Sequence, residues 1–483
     1  MWDDPGTPEA ERTEVMPRRQ LRLLAALPVI WSASCASVSP ERGHDKVGDL
    51  VHSRTGARTR WEKGPPDDVR VADWVRKQIS QGLTRAVAIE IALVNNPDLG
   101  AMYEELGISQ ADMVQAGLLR NPTIGAEIGF PRTEGALSEL RFSLVQDFLD
   151  LFVLPLRKEI ARDQFEADTL RVAHRALQVV AEAEEAFVAA QASGQLVEFR
   201  RTVVETAGAA NDLSEKQLSA GNINPLERAN ERASYEQARL DLAREELAQL
   251  EARERLNRIL GLWGETTTWS LIEVLPSLPD QEAPLAHLES FAISQRLDVA
   301  SARTQAALLH KATDLARSSR LFGRLEVGVD FHRDPNGPRV IGPNLVIDLP
   351  IFDQRQAFIA RLEAQERQQQ RRLAGLSIDA RSEVRLADAR LRAARQTALH
   401  YRDNLVPLRS AILDQSQLHY NGMLIGAYQL LTAKQSEIDA RRGYLEAVRD
   451  YWSARAELTR ALGGAMPPST TPNGGPAPKR TER

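Results

Sequence analysis

The chain repeats itself, and that repeat limits its fold more than any local motif does. The stretch "NNPDLGAMYEELGISQADMVQAGLLRNPTIGAEIGF" corresponds to "SQRLDVASARTQAALLHKATDLARSSRLFGRLEVGVDF", which aligns Asp98 with Asp298 and Phe130 with Phe331. The two units also end alike, with "RILG" at Arg258 to Gly261 and "RALG" at Arg460 to Gly463. A period of about 200 residues implies two large units of one design, so each element has to be legible twice.

Each unit carries two strands. Ile124, Ala126, Ile128 and Phe130 alternate with Thr123, Gly125, Glu127 and Gly129, and Phe142, Leu144 and Phe148 alternate with Arg141, Ser143, Val145 and Asp147. In the second unit Leu325, Val327, Val329 and Phe331 alternate with Arg324, Glu326, Gly328, Asp330 and His332. Ile341, Leu345, Ile347 and Leu349 follow, alternating with Gly342, Asn344 and Asp348. Period 2 with one apolar and one polar face predicts strands at about 122–130, 139–149, 323–332 and 340–349. At roughly 8 to 10 residues they have the length of a tilted membrane strand. The polar turns "PRTEGALSE" and "RDPNGPR" join them in pairs.

A long helix is expected after each pair, entered through Pro155 and Pro350 and running from Arg157 to about Leu218 and from Gln356 to about Tyr420. Sixty-odd residues would span ~95 Å. Leu170, Ala173, Leu177, Val180, Phe187 and Ala190 recur as a heptad seam in the first of these helices. Glycine-centred breaks, "SAGNINPLE" and "YNGMLIGAY", then turn the chain into return helices at Leu226 to Leu260 and Tyr428 to Leu462. The expected organisation is a first repeat over 81–262 (tip about 219–225), an equatorial linker over 263–285, and a second repeat over 286–465 (tip about 420–427). Residues 36–80 read as an extended tether, and the Pro- and Gly-rich residues 466–483 as a disordered tail.

The remaining composition excludes much. Apolar residues make up 43% but aromatics only 5%, which is the make-up of long helices and coiled coils. Lys plus Arg at 61 nearly balances Asp plus Glu at 66, so no nucleic-acid footprint is visible. Arg18, Arg19 and Arg22 precede the apolar run "LLAALPVIW" and the small residues before Cys35, the order of a secretory signal over residues 16–35. Acidic residues 1–15 are wrong for its start, so Met16 is expected to be the natural first residue. Cys35 is the sole cysteine. Its place at the cleavage point resembles a bacterial lipoprotein box, although Ser32 departs from the usual Leu, and lipidation at Cys35 is expected. An ordinary signal peptide that happens to contain a cysteine is the plainer alternative. Apart from this segment no apolar run reaches the ~20 residues of a membrane helix, so any entry into a membrane must be as strands.

Four strands with an uncovered apolar face cannot stand as an open sheet in lipid; the edges must pair and the sheet must close. Two copies give eight strands and three give twelve, both admissible. The chain resembles the TolC-like outer-membrane efflux channel family. The likeness spans residues 83–465 and is carried by "LTRAVAIEIALVNNPDL", "QAGLLRNP", "LPIFDQRQAFIARLEAQ" and the breaks around Gly221 and Gly422, while "GLWGETTTWSLIEVLPSLP" resembles the equatorial insert of the heavy-metal and drug-efflux branch. The resemblance implies a mainly α fold with membrane β. Three copies would form a 12-stranded β-barrel in the outer membrane and a 12-helix periplasmic α-barrel. It also implies a homotrimer with a periplasmic adaptor and an inner-membrane pump as partners, outer-membrane lipid around the barrel, and no cofactor.

No G-x-S-x-G, G-x-x-x-x-G-K-[ST], H-E-x-x-H or C-x-x-C occurs, the eight histidines show no i,i+4 pairing, and the methionines are scattered. No enzyme, metal site or nucleic-acid partner is therefore expected. Gly221 and Gly422, where the helices turn back, are expected at positive φ. The resemblance implies that Ala220, Gly221, Asn222 and Ile223, with Asn421, Gly422, Met423 and Leu424, dock the adaptor, and that the tips close the tunnel at rest. The acidic ring of some members is absent, since Tyr428 and Leu431 occupy its positions. Glu227, six residues after Gly221, and Tyr428 are the candidate gate. A soluble periplasmic coiled-coil scaffold or adaptor is the competing reading.

Overall fold

A computed structural model describes residues 41–59, 65–130, 132, 138–279, 287–321, 323, 325–333 and 337–467, all within one unit of the chain. The predicted signal, Cys35, and nearly all of the tail lie outside the described residues.

Two helices, α1 (Glu41–Thr55) and α2 (Pro65–Ser80), occupy much of the segment read as an extended tether, which corrects that reading. Val47 and Val51, like Val75 and Ile79, stand four residues apart on one helix face, and all four are buried in the core. Lys46 of α1 pairs with Glu166, and the His44 and Tyr103 rings meet at 4.4 Å. Arg54 donates to the Gln295 carbonyl at 3.3 Å, tying α1 to the second repeat.

The first repeat continues as α3 (Arg85–Asn95), α4 (Pro97–Ala116), β1 (Thr123–Gly129), β2 (Glu139–Asp147), α5 (Leu149–Ser219) and α6 (Pro225–Leu260). The second runs α7 (Leu288–Gln295), α8 (Leu297–Ser318), β3 (Leu325–Arg333), β4 (Arg339–Ile347), α9 (Gln356–His400), α10 (Val406–Asn421) and α11 (Ala427–Ala461). The 71 residues of α5 span ~105 Å. This helix starts ahead of Pro155, which sits inside it and removes the single bond that Leu151 would have received. Pro350 precedes α9 by several residues instead of opening it. A π turn at Tyr401–Leu405 joins α9 to α10 without a break, immediately before Pro407, whose missing N–H and ring crowd an α-turn there.

The helices lie side by side in two tiers. Next to the sheet the neighbours are α4, α5, α8 and α9, in that order; further away they are α6, α5, α11, then α9 with α10. The heptad residues Leu170, Ala173, Leu177, Val180, Phe187 and Ala190 are all buried along α5. At the waist the linker folds back as a strap. Leu83 bridges Leu271, and the buried Trp269 donates from Nε1 to Asn257 at 2.7 Å beneath the Arg253 guanidinium, 3.8 Å from the ring centroid. Gln191, Arg395 and Trp452 donate to the carbonyls of Glu273, Pro279 and Pro276, so the strap touches α5, α9 and α11. Where α6 ends, Gly261 takes φ 65, and a Cβ there would stand 2.3 Å from the Asn95 carbonyl oxygen. Gly463 closes the second repeat in the same way at φ 92 against the Gln295 backbone, so the matching glycines of "RILG" and "RALG" mark two close helix approaches.

Candidate functional site

The four strands form one antiparallel sheet in the order β1-β2-β3-β4. Register sets rows of side chains across it. Ile124, Leu144, Val329 and Pro343 share one row, and Ala126, Phe142, Phe331 and Ile341 the next, with the Phe142 and Phe331 rings 6.2 Å apart. The opposite face carries Glu127 beside Arg141 beside His332, and Asp147 beside Glu326.

The usual rule of burial is inverted on this sheet. Ile124, Leu144, Val329, Ile341, Leu345 and Ile347 are exposed, with Ile124 at 76% and Ile341 at 71%, whereas Gly342, Asn344 and Val346 of the polar face are half-buried. On β4 the polar side is therefore the more covered one, and no helix among the described residues covers the apolar side. Exposed Phe148, Phe152, Phe352 and Leu349 continue that belt below the strands. No described helix is long and apolar enough to cross a membrane. Among the described residues the outer edges of β1 and β4 pair with nothing.

At the far end of the helices the two tips share one backbone design. At the first, Ala220 ends the turn at φ −83, Gly221 takes φ 73, and Asn222 donates from its backbone to Gln217 at 2.8 Å. At the second, Gly422 lies at φ −82 and Met423 at φ 58, while Leu424 donates to His419 at 2.8 Å. The expectation of positive φ at Gly422 is thus corrected: Met423, 94% exposed, is the counterpart of Gly221. The tips match with an offset of one residue, Gly221 to Met423 and Asn222 to Leu424.

The same offset reassigns the candidate gate. Asn224 Oδ1 accepts from the Glu227 backbone at 2.9 Å while the Glu227 carboxylate accepts from the Asn224 backbone at 3.2 Å, a reciprocal cap at the start of α6. In the second tip Gln429, not Tyr428, accepts from the Gly426 backbone at 3.2 Å. Glu227 and Gln429 are therefore equivalent, and the exposed Tyr428 corresponds to Leu226. A pattern in the sequence could have revealed this, since N-x-x-E at Asn224 and G-x-x-Q at Gly426 both mark helix starts.

The strongest buried electrostatics lie at the waist. Arg296, 7% exposed, donates two bonds to Asp298 (3.1 and 2.7 Å) and pairs with Glu383, joining α8 to α9. Burial alone would raise the Asp298 carboxyl, but its bonds to Arg296 and the nearby His174 hold it below its ordinary value. His174 of α5, 3.9 Å from Asp298, is pushed below its ordinary value by burial, against the opposing pull of Asp298. Burial raises the Glu184 carboxyl, and Arg85 and Arg455 act the other way. No group of three His, Cys, Asp or Glu side chains able to hold a metal occurs among the described residues.

Residues 88–262 match the sequence model of the family described as Outer membrane efflux protein. The cobalt-zinc-cadmium resistance protein CzcC of Cupriavidus metallidurans is 23% identical over 394 residues, covering 79% of this chain and 90% of that protein. The solved structure of CusC superposes with a TM-score of 0.67 at 18% identity, over 79% of this chain and 92% of that one. The Campylobacter jejuni CmeC outer membrane channel gives a TM-score of 0.67 at 15% identity, over 87% and 92%. The first repeat thus matches the model of the Outer membrane efflux protein family, and the chain shares its fold with solved outer membrane channels over most of both repeats.

Proposed function

We propose that three copies of this chain close into a passive duct through the bacterial outer membrane, a 12-stranded barrel in lipid continued by a 12-helix tunnel in the periplasm. A periplasmic adaptor and an inner-membrane pump feed it. The observation that carries this reading is the sheet itself, which leaves its apolar face exposed and carries charge on the other. In water the apolar face is an aggregation surface; in lipid it is the stable solution, provided that β4 of one copy pairs with β1 of the next. A soluble scaffold would leave Ile124, Val329 and Ile341 uncovered. CzcC is a cobalt-zinc-cadmium resistance protein, and divalent metal cations are the cargo to test first.

The tips are the proposed docking points for the adaptor, through Ala220, Gly221, Asn222 and Ile223 on one and Asn421, Gly422, Met423 and Leu424 on the other. The proposed resting gate is Glu227 and Tyr428, which neighbour these turns without being symmetric partners. Lipidation at Cys35 would add an anchor at the same membrane.

Density-gradient fractionation of cells expressing the chain from Met16 tests the reading. Recovery as a trimer in the outer-membrane band, resistant to salt and released by detergent, is expected. Recovery in the soluble periplasm would replace the channel with the scaffold.

A further inference from the structure

Register fixes which side chains share a level inside the barrel. Gly125, Ser143, Asp330 and Gly342 lie abreast across β1, β2, β3 and β4 on the polar face. Two of the four have no side chain and a third has only a hydroxymethyl group, so Asp330 is the sole charge at that height. Among the described residues it makes no ion pair and no side-chain hydrogen bond.

The cations that could neutralise it are engaged elsewhere. Arg141, two residues along β2 from Ser143, is shared by Glu127 at 3.5 Å and Glu139 at 3.3 Å. His332 stands 3.9 Å from Glu139. At the foot of the sheet Arg120 pairs with Asp147 at 3.2 Å, Arg157 donates to the carbonyls of Ala116 and Leu118, and Arg355 reaches Ser319 at 3.4 Å. Among the described strand residues the polar face carries five carboxylates, on Glu127, Glu139, Asp147, Glu326 and Asp330, and one arginine, Arg141.

We propose that Asp330 is the position that gives the pore a preference for cations. This rests on the three-copy channel proposed above, in which Asp330 recurs as a ring of three carboxylates at mid-height. A ring of fixed like charges in a confined aqueous pore concentrates counter-ions and excludes co-ions, and its reach is set by the Debye length. Glycine and serine neighbours leave the ring open to water, so the carboxylates stay hydrated and act on hydrated ions in passage. The same ring makes an anionic cargo the poorer passenger.

The test is the potassium-to-chloride permeability ratio of the purified full chain in planar bilayers under a KCl gradient. The wild-type ratio is expected above one, and to fall by about twofold or more in Asp330→Asn. Ser143→Asp, which adds a second carboxylate at the same height, is expected to raise it. This arm decides alone if Asp330→Asn does not assemble. An unchanged ratio in Asp330→Asn, an unchanged ratio in Ser143→Asp, or a chloride preference in the wild type would overturn the inference while leaving the channel standing. A wild-type protein that forms no pore would overturn the channel reading and this inference with it.

Discussion

The two tips have the same backbone but different residues at its costly position, so they should answer glycine chemistry in opposite ways. Gly221 at φ 73 has open space around its missing Cβ, so Gly221→Ala meets no clash and suffers only the left-handed penalty. That penalty is about 1 kcal/mol. At Gly422, φ is −82 and a Cβ would meet the Leu418 and His419 carbonyls at 3.5 and 3.6 Å, ordinary contact. Gly422→Ala should therefore be neutral or slightly stabilising. Met423 already bears the left-handed cost at φ 58, so Met423→Gly should relieve about 1 kcal/mol. Hydrogen exchange followed by mass spectrometry on the full chain reads these differences locally, through the Asn222 and Leu424 amides that close the turns. One kcal/mol corresponds to about a fivefold change in exchange rate. Gly221→Ala should speed its turn, Met423→Gly should slow its own, and Gly422→Ala should leave its turn within a factor of about two. Equal acceleration by Gly221→Ala and Gly422→Ala would refute the one-residue offset.

Gly261→Ala should be far more damaging than either tip change, because the added Cβ meets the Asn95 carbonyl as well as the left-handed penalty. A loss of at least about 2 kcal/mol is expected, read as a lower midpoint in denaturant. His174 predicts a pH dependence. Burial lowers its folded value, so the unfolded chain binds the extra proton, and its contribution is complete above the unfolded value of about 6.5 and is lost as pH falls through the window below that. The raised Glu184 carboxyl acts in the opposite sense, gaining stability as pH falls toward its unfolded value. Comparing wild type with His174→Gln isolates the histidine, and melting temperatures of the two that decline in parallel from pH 7 to about pH 5.5 would contradict its role. On the apolar face, Val329→Lys should cost about 2 to 4 kcal/mol if that side chain meets lipid near mid-depth, seen as loss of protein from the outer-membrane band. Normal yield would mean that the face is covered by protein.

The sequence was readable wherever two periods competed and one dominated. Period 2 in Leu325 to Phe331 and the heptad from Leu170 to Ala190 each left one face apolar, and both faces are where the pattern puts them. The waist helices were not readable in the same way. In α1 the buried apolar markers are two valines and in α2 a valine and an isoleucine, and "GPP", whose prolines open α2, reads as extended chain. The tips show a subtler limit. Alignment by glycine identity paired Gly221 with Gly422, but backbone energetics allow a strained methionine to hold the left-handed position, and only the capping pattern carries the correct offset. The Arg296, Asp298 and Glu383 cluster was invisible because Glu383 comes from a helix 85 residues downstream of Asp298.

The proposed number of copies is supported by how one chain's open edges are stacked. β1, α4 and α6 lie toward one side of the copy, and β4, α9 and α10 toward the other, so every tier is unfinished on the same two sides. Joining unlike sides is a head-to-tail contact, which yields either a ring or an endless filament. Lipid removes the filament, since a sheet inside a membrane cannot retain a free edge. The strands must therefore close, and the helices, being the same chains, close with them at the same number. A single copy has four strands, and two copies make an eight-stranded barrel whose interior is just filled by side chains. Glu127, Glu139, Arg141, Asp147, Glu326, Asp330 and His332 share the face that would line that space, and the carboxylates in excess of the cations need water. In the proposed three-copy duct, twelve strands leave these charges hydrated around an open lumen, and the four neighbouring helices of each tier contribute to a tunnel of twelve.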